Sequence, residues 1–288
     1  MKCFRYREAG MILVTGAAGQ LGSGLMRFFE MNQIAATGVD RNDFDIVNYE
    51  ETLDYITNLH PTCVFHCAAY SNVDLAEEEQ ERCEKINILG TKNIVAACQQ
   101  ISAKIIYIST DYVFNGIYQM PYEVDAKILP LSVYGKTKAE GENLVENYAR
   151  GFVVRISWLF GGSGKNFVTT MLRLGKETEQ LTVVADQIGS PTYVNDLVPV
   201  LYEISKTEEY GIYHATNEGY CSWADFAEKI MEYSNLSCKI IPVSSEEYAS
   251  KAKRPKNSRL SKKSLDEHGF HRLPVWEDAL RRYLIEIS

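Results

Sequence analysis

The chain has 288 residues, 45% hydrophobic and 24% charged, with a formal net charge of −8. That length can bury a sizeable core and exceeds one simple domain, while the acidic balance argues against a nucleic-acid surface. No apolar run approaches the roughly 20 residues of a membrane span. Seven scattered cysteines (Cys3, Cys63, Cys67, Cys83, Cys98, Cys221, Cys238) form no CxxC pair and no cluster with histidine at metal-ligand spacing. They suggest free thiols in a reducing cytoplasm rather than a disulfide framework or a metal site. The opening MKCFRYREAG, residues 1–10, lacks an apolar signal core and is expected to be a poorly ordered extension.

From Met11 onward, apolar runs rich in β-branched residues alternate with helical stretches. The expected strands are MILVTG (11–16), AATGVD (35–40), CVFHCAAY (63–70), KIIYIST (104–110) and FVVRISWLF (152–160), with helices near 20–32, 48–59, 83–101 and 134–149. Strands this apolar are covered on both faces, so the pattern predicts an α/β fold with a doubly wound parallel sheet. Residues 11–160 read as a dinucleotide-binding, Rossmann-like domain. Residues 161–288 read as a smaller substrate-binding region, some of whose segments (GIYHATN, 211–217) return to the sheet. Within it, Ser222 is placed to cap a helix over 222–234.

The first strand runs into TGAAGQLG, which spaces Gly16, Gly19 and Gly22 as a strand-to-helix turn. Glycines there let the backbone approach a pyrophosphate, whose charge then sits at a helix N-terminus. A glycine triplet alone is weak; its position directly after the first strand makes it a dinucleotide signal. The second strand ends in Asp40 and Arg41. The acid suits the ribose hydroxyls of NAD and the base suits the 2′-phosphate of NADP, so both NADH and NADPH stay open. Asp45 and Ile46 suit the adenine edge and face, and the small residues of AAY (68–70) leave room for the dinucleotide.

The fourth strand ends at Thr110, where open α/β sheets place their ligands. The stretch VYGKTKAEGE (133–142) then sets Tyr134 and Lys138 one helical turn apart, a phenol beside an ammonium. At about 4 Å and an effective dielectric of ~20, that charge would stabilise the phenolate by up to ~4 kcal/mol. Tyr202 and Lys206 repeat the spacing but follow no such strand. The acidic run EEEQE (77–81) reads as a solvated helix face rather than a metal site. The five histidines are scattered and receive no catalytic role. The basic run Lys251–Lys263 divides between a solvated surface and a contact to an anionic ligand.

The Thr110–Tyr134–Lys138 set resembles that of the extended short-chain dehydrogenase/reductase superfamily. TGAAGQLG, AAYSNVDLAEEE, STDYVFNG, PLSVYGKTKAEGE, RISWLFGGSGKNFV, VVADQIGSPTYVNDL and KRPKNSRL, in this order from about Met11 to Leu260, resemble dTDP-4-dehydrorhamnose reductases. The resemblance implies reduction of the C4 carbonyl of a dTDP-bound 6-deoxy-4-ketosugar by NADPH or NADH. It also implies Tyr134 as proton donor, Lys138 as cofactor-binding partner and Thr110 as the hydroxyl that tunes the site. Gly16, Gly19, Gln20, Leu21, Gly22, Asp40, Arg41, Asp45, Ile46, Ala69, Tyr70 and Ser71 would join them in contacting the cofactor. Thr110, Asp111, Trp158, Asn166 and Arg254 would meet the nucleotide sugar, Arg254 at its diphosphate. Some family members bridge a dimer through acidic residues and magnesium; no metal ligand is assigned here, and a homodimer stays open. Two alternatives share the fold: another nucleotide-sugar reductase or 4-epimerase, and a cofactor-binding regulatory subunit of the methionine adenosyltransferase type.

Overall fold

The structure is a computed structural model that describes residues 10–248 and 250–288; most of the expected N-terminal extension lies outside that range. Six parallel strands form its central sheet. In chain order they are β1 (Ile12–Thr15), β2 (Ala36–Val39), β3 (Cys63–His66), β4 (Lys104–Thr110), β5 (Gly151–Ile156) and a sixth, Gly211–His214. Their spatial order is sixth–β5–β4–β3–β1–β2, and every pairing is parallel. The alternation of strand and helix thus gives the doubly wound sheet expected from the sequence. The sixth strand comes from the second half of the chain and adds itself beside β5, Tyr213 opposite Val154.

Successive side chains leave a strand on opposite faces, so each strand feeds two cores. On one face Val14, Phe65, Ile106 and Val154 pack under helix α1 (Gln20–Met31) and the helix Val194–Ser205. On the other, Leu13, Val64, Ile105 and Val153 meet α2 (Tyr49–Leu59) and the helix Thr91–Ile101. A third core belongs to the C-terminal half: Phe160, Phe226, Ile230, Trp276 and Tyr283 join helices Phe167–Glu177, Trp223–Tyr233 and Trp276–Glu286. Burying one such Phe or Ile side chain stabilises by about 1.5–3 kcal/mol. Ser222 caps the helix Trp223–Tyr233 in a reciprocal box with Asp225. Among the described residues no helix is long and apolar enough to cross a membrane.

Three boundaries depart from the sequence reading. β3 stops at His66, so Cys67–Tyr70 form a loop instead of continuing the strand. The expected helix over 83–101 is interrupted: Lys85–Gly90 widens into a π turn between Gln80–Glu84 and Thr91–Ile101. β5 ends at Ile156, short of the expected 160, and Trp158, whose φ of 48° is left-handed, keeps the pleat from resuming. Leu159–Phe160 then pairs with Thr192–Tyr193 instead of with the central sheet.

Candidate active site

The strand order changes direction between β1 and β3, so the loops after these strands diverge and leave a crevice at their carboxyl ends. A cleft of about 1370 Å³ occupies that position. Gly16, Gly19, Gln20, Leu21, Gly22, Asp40, Arg41, Asp45, Ile46, Ala69, Tyr70 and Ser71 all line it. So do Thr110, Asp111, Tyr134, Lys138 and Trp158.

The glycine turn is shaped for close backbone approach. Gly16 has φ +69°, and a Cβ there would lie 2.7 Å from the Ala68 nitrogen. A Cβ on Gly22 would lie 2.2 Å from the Gly16 oxygen, so α1 could not begin where it does. No side chain caps the N-terminus of α1, where Gly19 is the N-cap. Its first N–H groups and dipole are thus left to an anion, which fits a dinucleotide phosphate. Asp40 closes the turn from the β2 side by accepting the Ala18 N–H at 2.6 Å. Arg41 is exposed at the rim.

On the opposite wall the helix Val133–Glu146 carries Tyr134 and Lys138. Ser132 caps it by accepting from the Gly135 N–H, and Glu77 accepts from the Val133 N–H at 2.8 Å. The acidic run at 77–81 is therefore more than a solvated face. Glu77 anchors the start of this helix, Glu79 accepts from the Tyr70 hydroxyl at 3.0 Å, and Glu78 pairs with Lys251. Among the described residues no acidic or thiol-bearing group forms a metal cluster.

Lys138 is buried, with Nζ 3.9 Å from the centre of the Tyr107 ring, a cation–π arrangement. Burial lowers its pKa to about 7, opposed by the Glu142 carboxylate one turn further along the helix. Burial raises the Tyr134 phenol above its ordinary value, opposed by a hydrogen bond with Thr110. This corrects the expected electrostatics: desolvation of the phenolate outweighs any stabilisation by Lys138, whose ammonium faces the Tyr107 ring. A phenol raised in this way keeps its proton at neutral pH, as a proton donor must.

Behind Lys138, Glu142 takes two hydrogen bonds from Arg155 on β5, at 2.9 and 2.8 Å, and one from Ser109. Both members of this ion pair are fully buried. Arg155 also donates to the Val124 carbonyl and meets His214 Nε2 at 3.2 Å. Another chain links β1 and the loop after β3 to the helix Val133–Glu146. Thr15 bonds His66 Nδ1, His66 Nε2 bonds Thr91, and Thr91 donates to the Asn87 carbonyl. Because Thr91 spends its proton on Asn87, Nε2 carries the His66 hydrogen. Burial holds this ring neutral, with its pKa lowered to about 3. The Asn87 side chain clasps the Tyr70 backbone from both sides and donates to Thr137, which donates to the Tyr134 carbonyl. Asn87, Glu142 and Arg155 were missed from the sequence. Only the spacing of Glu142, four residues after Lys138, could have flagged one of them.

Trp158 stacks on Trp223 with centroids 3.7 Å apart, and its left-handed backbone turns it toward the cleft. Asn166 does not line the cleft. It caps the helix Phe167–Glu177 and donates to the Tyr283 hydroxyl at 2.9 Å, so its side chain is committed to the C-terminal core. Arg254 also lies outside the lining, its guanidinium gripping both oxygens of Asp74 at 3.1 and 2.6 Å. The surrounding basic run is largely paired: Lys251 with Glu78 and Lys256 with Asp186. The repeated Tyr202–Lys206 spacing packs an ammonium 4.1 Å from its tyrosine ring, against Phe28 and Phe29 and away from the cleft.

Comparison with known proteins matches residues 10–288 to the RmlD substrate binding domain family. The spore coat polysaccharide biosynthesis protein SpsK of Bacillus subtilis is 39% identical over 96% of this chain and 98% of its own length. The dTDP-4-dehydrorhamnose reductase of Aggregatibacter actinomycetemcomitans is 37% identical over 94% of this chain and 97% of its own. Among solved structures, a dTDP-4-dehydrorhamnose reductase from Bacillus anthracis in complex with NADP superposes with a TM-score of 0.94. It is 42% identical and covers 96% of this chain and 99% of that one. A UDP-glucose 4-epimerase from Thermus thermophilus, 19% identical with a TM-score of 0.82, shares the fold alone. With a switch-point cleft of this composition and relatives matched end to end, the chain belongs to the RmlD substrate binding domain family.

Proposed function

We propose that the chain is an NAD(P)H-dependent oxidoreductase that reduces the C4 carbonyl of dTDP-4-dehydro-L-rhamnose to dTDP-L-rhamnose. The observation that carries this reading is the convergence of Thr110, Tyr134 and Lys138 on the cleft formed by the glycine turn. Reduced nicotinamide, when bound, supplies the hydride. Tyr134 gives its proton to the oxygen that becomes the C4 hydroxyl, and Thr110 orients that oxygen and the phenol. Lys138 holds the nicotinamide ribose, while Asn87 and Glu77 keep the helix of Tyr134 in register with the cofactor loop. Trp158 lines the sugar side. A homodimer and a cytoplasmic location complete the reading.

Nicotinamide absorbance followed with a small panel of dTDP-4-ketosugars tests it. Stoichiometric oxidation of NADPH or NADH with dTDP-4-dehydro-L-rhamnose is expected. Interconversion of 4-epimers without net consumption would replace the reductase by an epimerase. No turnover with any ketosugar, despite tight cofactor binding, would favour the regulatory subunit.

A further inference from the structure

Lys138 lines the cleft and is only 3% exposed, yet among the described residues its ammonium forms no ion pair and donates no hydrogen bond. The carboxylate one turn along its own helix, Glu142, is committed to Arg155 and Ser109. The other titratable groups near it are the thiols of Cys67, after β3, and Cys83, on the helix Gln80–Glu84, and the neutral His66 ring. A buried ammonium needs some partner to offset its desolvation. The partner present is the face of the Tyr107 ring, 3.9 Å from Nζ. An aromatic face attracts a cation through its quadrupole and accepts none of its N–H groups in a directed bond, whereas a carboxylate would hold one or more of them.

The ring is fixed by packing rather than by the cation it faces. β4 sends Tyr107 and Ser109 from one face, two residues apart, to meet Lys138 and Glu142, one helical turn apart. Tyr107 is fully buried, and its hydroxyl donates to the Lys138 carbonyl at 3.3 Å. A Cβ on Gly141 would collide with that hydroxyl, so a glycine is needed there for the ring to reach under the helix. His66, opposite Tyr107 in the sheet register, tilts against it with centroids 5.8 Å apart. Both His66 nitrogens are committed, to Thr15 and Thr91, so this neighbour is fixed as well.

We propose that Tyr107 is a positioning residue whose π face holds the Lys138 ammonium in the cleft and leaves its N–H groups free for the ribose hydroxyls of a bound dinucleotide. This rests on the cofactor part of the reading above and adds the group that keeps its lysine in place.

Calorimetric titration of NADP⁺ tests the assignment in chains that carry phenylalanine, then progressively fluorinated phenylalanines, at position 107. At pH 6 the ammonium keeps its proton, since burial lowers its pKa only to about 7. Fluorine withdraws electron density from the ring face while nearly preserving its shape, so a purely structural role would not respond. Tyr107→Phe should bind NADP⁺ within about threefold of the unaltered chain. Kd should then climb with each added fluorine and reach about tenfold at the most fluorinated ring, as it should in Tyr107→Leu. In a Lys138→Met background the same series should be flat. Affinity independent of fluorination beside an intact Lys138 would overturn the proposal. A trend that persists in the Lys138→Met background would overturn it too, because the ring would then act through another group. Failure of the unaltered chain to bind NADP⁺ would instead sink the oxidoreductase reading, and this proposal with it.

Discussion

Tyr134 and Tyr202 each stand four residues before a lysine, and only the tertiary context separates them. Tyr134 opens a helix anchored by Glu77 and Ser132 at the carboxyl end of β4, whereas Tyr202 packs edge-to-face against Phe28 and Phe29. Loss of a positioned general acid typically costs ~10²–10⁴-fold in rate. Tyr134→Phe should therefore lower kcat by at least about a hundredfold with cofactor affinity nearly unchanged, and Tyr202→Phe should leave kcat where it was. Near-normal turnover by the Tyr134 variant would remove the phenol from the mechanism. Spacing made this pair visible in the sequence, but not the direction in which its pKa moves. Lys138 faces the ring of Tyr107, a residue on another strand, and periodicity carries no information about that. Asp40 and Arg41 pose a similar question of rank. Asp40 is tied to the glycine turn through the Ala18 N–H, and Arg41 is free at the rim to take a 2′-phosphate. The catalytic efficiencies with NADPH and NADH should then lie within about tenfold, or roughly 1.4 kcal/mol. Arg41→Ala should cost the NADPH reaction alone. An equal loss with both cofactors would show that Arg41 does not read the phosphate.

The helix Val133–Glu146 joins the site to the sheet through one buried ion pair, Glu142 with Arg155 of β5. Removing one partner of such a pair strands the other charge in a medium that cannot solvate it, at a typical cost of about 3–5 kcal/mol. Glu142→Gln should accordingly lower the unfolding free energy by about 3 kcal/mol or more, read from a urea titration. The double variant Glu142→Leu with Arg155→Met should lose less than the single one. A single variant as stable as the unaltered chain would mean that water reaches the pair. The strands were legible where burial alone decides them: β4 runs from Lys104 to Thr110 as its continuous apolar run predicts. They were not legible where a side chain reaches across the fold. Cys67–Tyr70 looks like strand, yet the Asn87 side chain holds the Tyr70 backbone N–H and C=O in a loop, and Asn87 sits in the π turn that interrupts the expected helix. A local pattern of apolar residues cannot announce either event.

Across the whole molecule the C-terminal strap 250–262 ties together parts that lie far apart in sequence. Leu260 bridges to Tyr122, Asn257 bridges to Ile188, and the Ser258 N–H donates to the Ile188 carbonyl at 2.8 Å. At one end of the strap Arg254 grips Asp74, on the short helix after β3, and the Ala252 N–H donates to the same carboxylate at 3.0 Å. The basic run that stood out in an acidic chain thus works largely as a clasp between the strap and the segment after β3, a role set by acids some 180 positions earlier in the chain. It also carries Ser258 to Asp111 and Trp158. Because the Arg254–Asp74 pair is only partly buried, its direct worth is on the order of 1 kcal/mol or less. Arg254→Ala should therefore lower Tm by only a few degrees. The larger effect is expected on recognition, since a loosened strap no longer holds Ser258 beside Asp111 and Trp158. KM for the nucleotide sugar should rise about tenfold or more, kcat should change less, and NADPH affinity should stay within about twofold, because the glycine turn lies on the other wall. Asp74→Ala removes the clasp while leaving the guanidinium in place, so it should reproduce the rise in KM. A normal KM in Asp74→Ala beside a raised one in Arg254→Ala would mean that Arg254 touches the nucleotide sugar itself, through its diphosphate, and that the clasp is incidental.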